Sequence, residues 1–241
     1  MPSFSVFSGP HSAKWVFILF FLPLSLLIRT FGAPPAAKTT VIASAKTFSG
    51  LEEARNALRK AIGFQREAKD LSVKFHAKVY NSALDKEDSY EGKLLVKDST
   101  RFRLEVPGGL YLSDGVAYWE YHKQTHQVII RKAKDLEDQP LPGDVLLRFL
   151  DSEPLALSQS KEDGKEYLEL RLDPTRAMKN LDSLVVLLDK STFAMHRISS
   201  RDVSGNEARY TILSLKRNNG IKDKDFVFIP LKGTETVDMR E

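Results

Sequence analysis

Beginning at Leu71, apolar and polar residues alternate, and that rhythm restricts the chain to a β architecture. Leu71, Val73, Phe75, Ala77 and Val79 are interleaved with Ser72, Lys74, His76 and Lys78. A period of two marks a strand with one wet face. The same pattern continues through Glu91 to Lys97 and Arg101 to Val106, separated by Asp98, Ser99 and Thr100. Leu110 to Leu112 and Val116 to His122 flank Ser113-Asp114-Gly115, a strong hairpin signal. His126 to Lys132 extends the meander, and strand character resumes at Tyr167 to Leu172. Leu184 to Leu188, Phe193 to Arg201 and Glu207 to Lys216 follow, joined by Asp189 to Thr192 and by Ser204-Gly205-Asn206. Phe226 to Ile229 is expected to be the last short strand. Short turns between consecutive strands imply antiparallel pairing. About nine to eleven such strands curl rather than stay flat, so a partly closed barrel is expected.

Three segments break the rhythm. Leu51, Ala54, Leu58, Ala61 and Ile62 recur at helical steps, predicting a helix from Leu51 to Ala68. Ser49 and Glu52 have capping-box spacing at its start. Asp144 is a candidate N-cap for Val145 to Leu150, a short helix apolar apart from Arg148. Pro174 to Asn180 is read as a helical turn.

The N-terminus bears on the compartment. Lys14 precedes a 14-residue apolar run, Trp15 to Ile28. A membrane-spanning helix needs about 20 residues, so the run suits a signal peptide. The expected organisation is a signal peptide, or an N-terminal anchor, over 1–33, a Pro/Ala/Thr-rich linker over 34–48, and one domain over 49–241. The first 33 residues carry only Lys14 and Arg29 as charges, so removing them takes the formal charge from +4 to +2. Basic and acidic residues are interspersed, without the aromatic-basic stripe of a nucleic-acid binder. The chain has no cysteine. Disulfides, thiolate metal sites, thiol catalysis and N-terminal lipidation of the chain itself are thereby excluded.

Four segments in order resemble the periplasmic outer-membrane lipoprotein carrier proteins, the LolA family. The first is the helix leading into Ser72-Val73-Lys74-Phe75. The second is Gly92 to Lys97 with Arg101 to Glu105, and the third is Leu112 to Gly115 followed by Tyr118 to Tyr121. The fourth contains Asp189, Asp202, Gly205-Asn206, Tyr210, Asn218 or Asn219, and Phe226 to Gly233. The resemblance implies an unclosed antiparallel β-barrel of about 11 strands with an α-helical lid over a hydrophobic cavity. It implies a carrier that takes acylated lipoproteins from an inner-membrane ABC release complex and passes them to an outer-membrane acceptor. Such a protein is expected in the periplasm, as a monomer, with no cofactor, no metal and no catalytic residue. The family often has an Arg after the second strand that tethers the lid, where this chain has Asp98; Arg101 or Arg103 is the candidate replacement.

Period-two phasing sets Phe102 and Leu104 opposite Arg101, Arg103 and Glu105, and Trp119 and Tyr121 opposite Glu120. Both pairs are expected to point inward, as core or as cavity wall. Leu146, Leu147, Phe149 and Leu150 on the apolar helix are the candidate lid residues lining a lipid-binding cavity. The histidines are scattered, and no Gly-x-Ser-x-Gly, phosphate loop or His-Glu-x-x-His is present. Two other readings share the scaffold: a carrier of another lipid or glycolipid, favoured by Asp98, and a lipoprotein-sensing module.

Overall fold

The computed structural model describes residues 46–48, 50–98, 100–136, 152–176 and 180–240. The leader and the apolar helix expected at Val145 to Leu150 lie outside the described residues, as does Ser49.

Helix α1 (Leu51–Arg66) begins at Gly50, with no side-chain cap. Glu52, expected to close a capping box, instead pairs with Arg55 at 2.8 Å. Acidic Glu52 and Glu53 in the first turn and Arg66 in the last suit the helix dipole. Its buried side is narrow and small: Ala54, Ala57, Leu58 and Ala61. Those alanines let the backbone approach the strands below closely.

Among the described residues, thirteen strands form one sheet. The first five are β1 (Lys46–Phe48), β2 (Leu71–Asn81), β3 (Lys86–Lys97), β4 (Arg101–Val106) and β5 (Gly109–Asp114). Then come β6 (Ala117–His122), β7 (Gln127–Lys132), β8 (Pro154–Glu162) and β9 (Lys165–Leu172). The last are β10 (Leu181–Asp189), β11 (Met195–Asp202), β12 (Glu207–Arg217) and β13 (Glu235–Asp238). Across the sheet the order is β1-β8-β9-β10-β11-β12-β2-β3-β4-β5-β6-β7-β13. The two outermost strands, β1 and β13, are not neighbours in that order, so the sheet is unclosed. All pairs are antiparallel except β13 on β7. The unclosed, mainly β architecture is the one expected.

Three details differ from expectation. Lys46–Phe48, at the end of the expected linker, pairs with β8. Phe226 to Ile229 is not a strand: Asp223–Phe226 is a 3₁₀ turn, and the final strand is Glu235–Asp238. All four residues of that strand are exposed, so it carries no apolar alternation for a sequence to reveal. Strand β8, Pro154–Glu162, was also not anticipated, because its apolar residues do not alternate cleanly.

Turn chemistry explains several motif residues. Asp114 Oδ1 accepts from the N–H groups of Val116 and Ala117, each at 2.8 Å, and Gly115 takes φ +92°. Asp202 Oδ1 accepts from Ser204 N–H and Asn206 N–H at 2.9 Å. Asn206 Oδ1 in turn accepts from Ser82 N–H at 3.0 Å, tying two neighbouring hairpins together. Buried Asp70 accepts from the N–H groups of Asn219, Gly220 and Ile221, which anchors the chain after β12. The Asp114 and Asp202 contacts are Asx-type turns, while Asn206 and Asp70 bond across distant parts of the chain.

Residues directly opposite in an antiparallel pair point to the same face. Val73–Leu94, Leu94–Leu104, Leu104–Tyr111 and Tyr111–Glu120 therefore lie on one face. In the other direction that face continues through Ala77–Tyr210, Tyr210–Ile198, Ile198–Val186 and Val186–Leu170. Helix α1 sits on this face, over β8 and β9. Arg217, opposite Leu71, places its guanidinium 4.2 Å from the centre of the Phe64 ring. At the adjoining turn, Lys60 Nζ lies 4.6 Å from the Phe193 ring centre. On this helix-bearing face Val73, Phe75, Leu94, Val96 and Phe102 are buried together. Gly92 is required here, because a Cβ at that position would sit 2.3 Å from Cζ of the facing Phe75.

Candidate functional site

The helix-bearing face is the candidate site. Its apolar part is built by β2, β3 and β4, and it contains two of the expected wall residues. Phe102 is 2 % exposed, and Leu104 is partly buried against the same cluster. Phe102 meets Tyr118 at 6.2 Å between ring centres. Burial of each such side chain contributes about 1.5–3 kcal/mol.

Trp119 and Tyr121 are on the other face. Trp119 faces Leu112 and Ile130, while Tyr121 faces Val128. Tyr121 stacks against Phe228 with ring centres 5.5 Å apart. These side chains form a second core between β5–β7 and the segment after β12. Both pairs were expected inward as core or cavity wall, yet they enter two different cores on opposite faces: phasing tells which residues of a strand share a face, but not which face of the sheet that is. Glu120, expected on the wet side, is 5 % exposed for the same reason. Leu146, Leu147, Phe149 and Leu150 lie outside the described residues.

Arg101 and Arg103 also lie on the face away from α1. Arg101 Nε donates to Asp98 at 2.7 Å and its Nη1 to Asp223 at 2.6 Å. Lys97 Nζ donates to the same Asp223 oxygen at 2.6 Å. Arg103 pairs with Glu105 at 2.8 Å and reaches the Asp225 carbonyl at 3.5 Å. Both arginines thus hold the 3₁₀ turn of the C-terminal segment. Asp98 has φ +59° and also accepts from Thr100 N–H at 3.0 Å. Burial raises its pKa, but the bonds from Arg101 and Thr100 outweigh burial and hold it below the ordinary range. Asp223 is held low by the bond from Lys97 and the charge of Arg101. Beside them opens a cleft of about 420 Å³, where Arg66, Lys69, Lys97 and Arg101 stand with Glu67 and Asp98.

The sequence reading missed a polar patch on the helix-bearing face of β5–β7. Glu120 Oε2 accepts from Arg131 Nη1 at 3.1 Å, and its Oε1 lies 3.2 Å from His122 Nε2. Tyr111 faces Glu120 across the β5–β6 pair. Burial, with the charge of Glu120 added, pushes the Tyr111 and Tyr118 hydroxyls well above the ordinary phenol value. Both remain protonated O–H groups at neutral pH. The signal for this patch was a carboxylate and an arginine at diagonal positions of the β6–β7 pair, where Arg131 faces Tyr118 and Glu120 faces Ile129, and it becomes readable only once the register is known.

An unclosed antiparallel sheet with a helix on one apolar face defines the class: the fold is that of the LolA superfamily. A family model described as "Outer membrane lipoprotein carrier protein LolA" matches residues 66–229. That is more than half of the chain, and the chain belongs to this family. The family is one of carriers and in general not of enzymes. An outer-membrane lipoprotein carrier protein from Aeromonas salmonicida is 27% identical over 176 residues, covering 70% of this chain and 82% of that protein. An uncharacterised conserved protein from Thermus thermophilus superposes with a TM-score of 0.52 at 14% identity, covering 77% of this chain and 99% of that one. A LolA superfamily protein from Nitrosomonas europaea superposes with a TM-score of 0.38 at 16% identity, covering 73% and 97%.

Proposed function

We propose that this chain is a periplasmic carrier that shields the acyl chains of lipoproteins between the inner and the outer membrane. The observation that carries the proposal is the apolar helix-bearing face of an unclosed sheet in a chain of this family. Each exposed CH₂ of a cargo chain costs about 0.8 kcal/mol in water, so a multiply acylated protein needs such a surface to cross an aqueous space. Phe102 and Leu104 are the wall residues in this reading, and Leu146, Leu147, Phe149 and Leu150 form the lid. The signal peptide at 1–33 directs export, an inner-membrane ABC release complex supplies the cargo, and an outer-membrane acceptor takes it. The protein performs no chemistry in this scheme.

The test is transfer. Purified protein incubated with inner-membrane spheroplasts should extract acylated lipoprotein, and Leu104→Glu, at the partly buried wall position, should lose extraction while its circular dichroism stays unchanged. A protein that extracts none is not a lipoprotein carrier. Arg101 and Arg103, the tether candidates, also hold the C-terminal segment through Asp223 and the Asp225 carbonyl, and Asp98 stands where the family often has the tethering Arg. That difference favours a second reading, carriage of another lipid or glycolipid on the same scaffold. Mass spectrometry of the co-purifying lipid distinguishes the two.

A further inference from the structure

The helix-bearing face is not uniformly apolar. On β2–β4 it carries Val73, Leu94, Val96 and Phe102. On β5–β7 it carries Tyr111, Glu120, His122 and Arg131, all brought to one side by the registers Tyr111–Glu120, Gly109–His122 and Tyr118–Arg131. The face is therefore amphipathic across the strands, a template for a molecule with a hydrocarbon part and a polar part.

Within the polar part, the groups are unequally satisfied. Glu120 is neutralised by Arg131 and also contacts His122. Tyr111 is 2 % exposed, and its hydroxyl is buried without a hydrogen-bond partner among the described residues. The ring is held in place: Gly109 lies directly under the hydroxyl, where a Cβ would come within 3.3 Å of it, and the His122 ring abuts it edge-on at 6.4 Å. A buried hydroxyl left unpaired is costly, and folded proteins seldom keep one without a reason. Burial keeps this hydroxyl protonated, so what it offers is an O–H donor. Its immediate apolar neighbours in the cluster are Phe102, Val106 and Leu104, where hydrocarbon would lie.

We propose that Tyr111 is a specificity-determining residue of the carrier site, donating its O–H to the carbonyl oxygen of an acyl ester or amide whose chain lies along β2–β4. This rests on the carrier reading above and specifies the polar half of the ligand. Arg131 and His122 act through Glu120 as positioning residues, keeping that carboxylate occupied so that it does not compete for the Tyr111 hydroxyl.

The experiment compares two amphiphiles that differ only at the linkage: 1-lauroylglycerol, which has an ester carbonyl, and 1-O-dodecylglycerol, an ether without one. Binding of each to the full chain is measured by titration calorimetry below its micellar concentration. The native protein should prefer the ester by about five- to tenfold, the worth of one buried hydrogen bond. Tyr111→Phe, which removes only the oxygen, should bring the two affinities to within about twofold by lowering that for the ester alone. The variant's thermal midpoint should stay the same or rise, because an unsatisfied hydroxyl has gone. A native protein with no ester preference, as when a water occupies the hydroxyl, overturns the proposal, as does a Tyr111→Phe variant that keeps the preference. If neither amphiphile binds the native protein, the carrier reading itself fails. Equal binding of both leaves that reading standing and removes only the role of Tyr111.

Discussion

Strands β4 to β7 present two faces, and both are covered. One faces the side of α1 and joins the apolar surface of β2 and β3 to the Glu120 patch. The other is sealed by the chain's own C-terminal segment, with Phe228 against Tyr121. The sealed face carries a short-range ionic network of Asp98, Arg101, Lys97 and Asp223. The helix-bearing face includes the buried Tyr111 hydroxyl, which has no partner among the described residues. The difference teaches that burial alone does not separate a core from a site. An unpaired polar atom set beside an apolar wall is the sharper marker of a site, because folded proteins seldom keep one.

The contrast is broken most severely at Phe226, which is fully buried in the turn lying against β4 and β5. Phe226→Ala is expected to cost about 3–5 kcal/mol in urea unfolding, with acyl binding unchanged per folded molecule. A variant that stays stable but loses binding would mean that the sealed face is functional. Arg101→Gln tests the tether expectation with a smaller effect. Its pairs are with the partly exposed Asp98 and Asp223, so the cost should be about 1 kcal/mol or less, and cargo extraction should be unaltered. Loss of extraction at full stability would restore a tethering role. The smallest effect concerns Asp189 at the β10–β11 turn. Bonds from the Ser191 hydroxyl, assisted by Thr192, lower its pKa to about 2. A folded-state pKa below the unfolded value contributes stability that is present above the ordinary carboxylate range and is lost as pH falls towards 2. Asp189→Asn should flatten the acid limb of the stability curve between about pH 4 and pH 2 and leave the limb above pH 5 parallel to that of the parent. An unchanged acid limb would remove Asp189 from the account of acid stability.

Much of the fold was legible. The period-two segments located β2 to β7 and β9 to β12 within a few residues, and the Ser113-Asp114-Gly115 turn forms as read. Two of the missed strands share a cause. β1 and β13 are edge strands of three and four residues, and β13 is exposed throughout, so backbone pairing alone holds it with nothing in its side chains to announce it. The Phe-x-Phe run, read as a strand because its aromatics alternate, keeps that alternation without a partner: Phe226 and Phe228 are buried, while Val227 and Ile229 are exposed. The site was less legible than the fold. Both pairs were expected inward, and the structure sets them on opposite faces of the sheet: Phe102 and Leu104 on the helix-bearing one, Trp119 and Tyr121 on the sealed one.

By itself, then, the sequence determined that strands form, where they turn, and which residues of each strand share a side, because alternation and turn chemistry are local. The tertiary structure alone decided which side of each strand meets α1 and which meets the C-terminal segment. Those choices depend on register and on contacts between residues far apart, such as Arg103 with the carbonyl of Asp225 and Tyr111 with Glu120 across a strand pair. No window of neighbouring residues holds that information, and it is what places one unpaired hydroxyl beside an apolar wall.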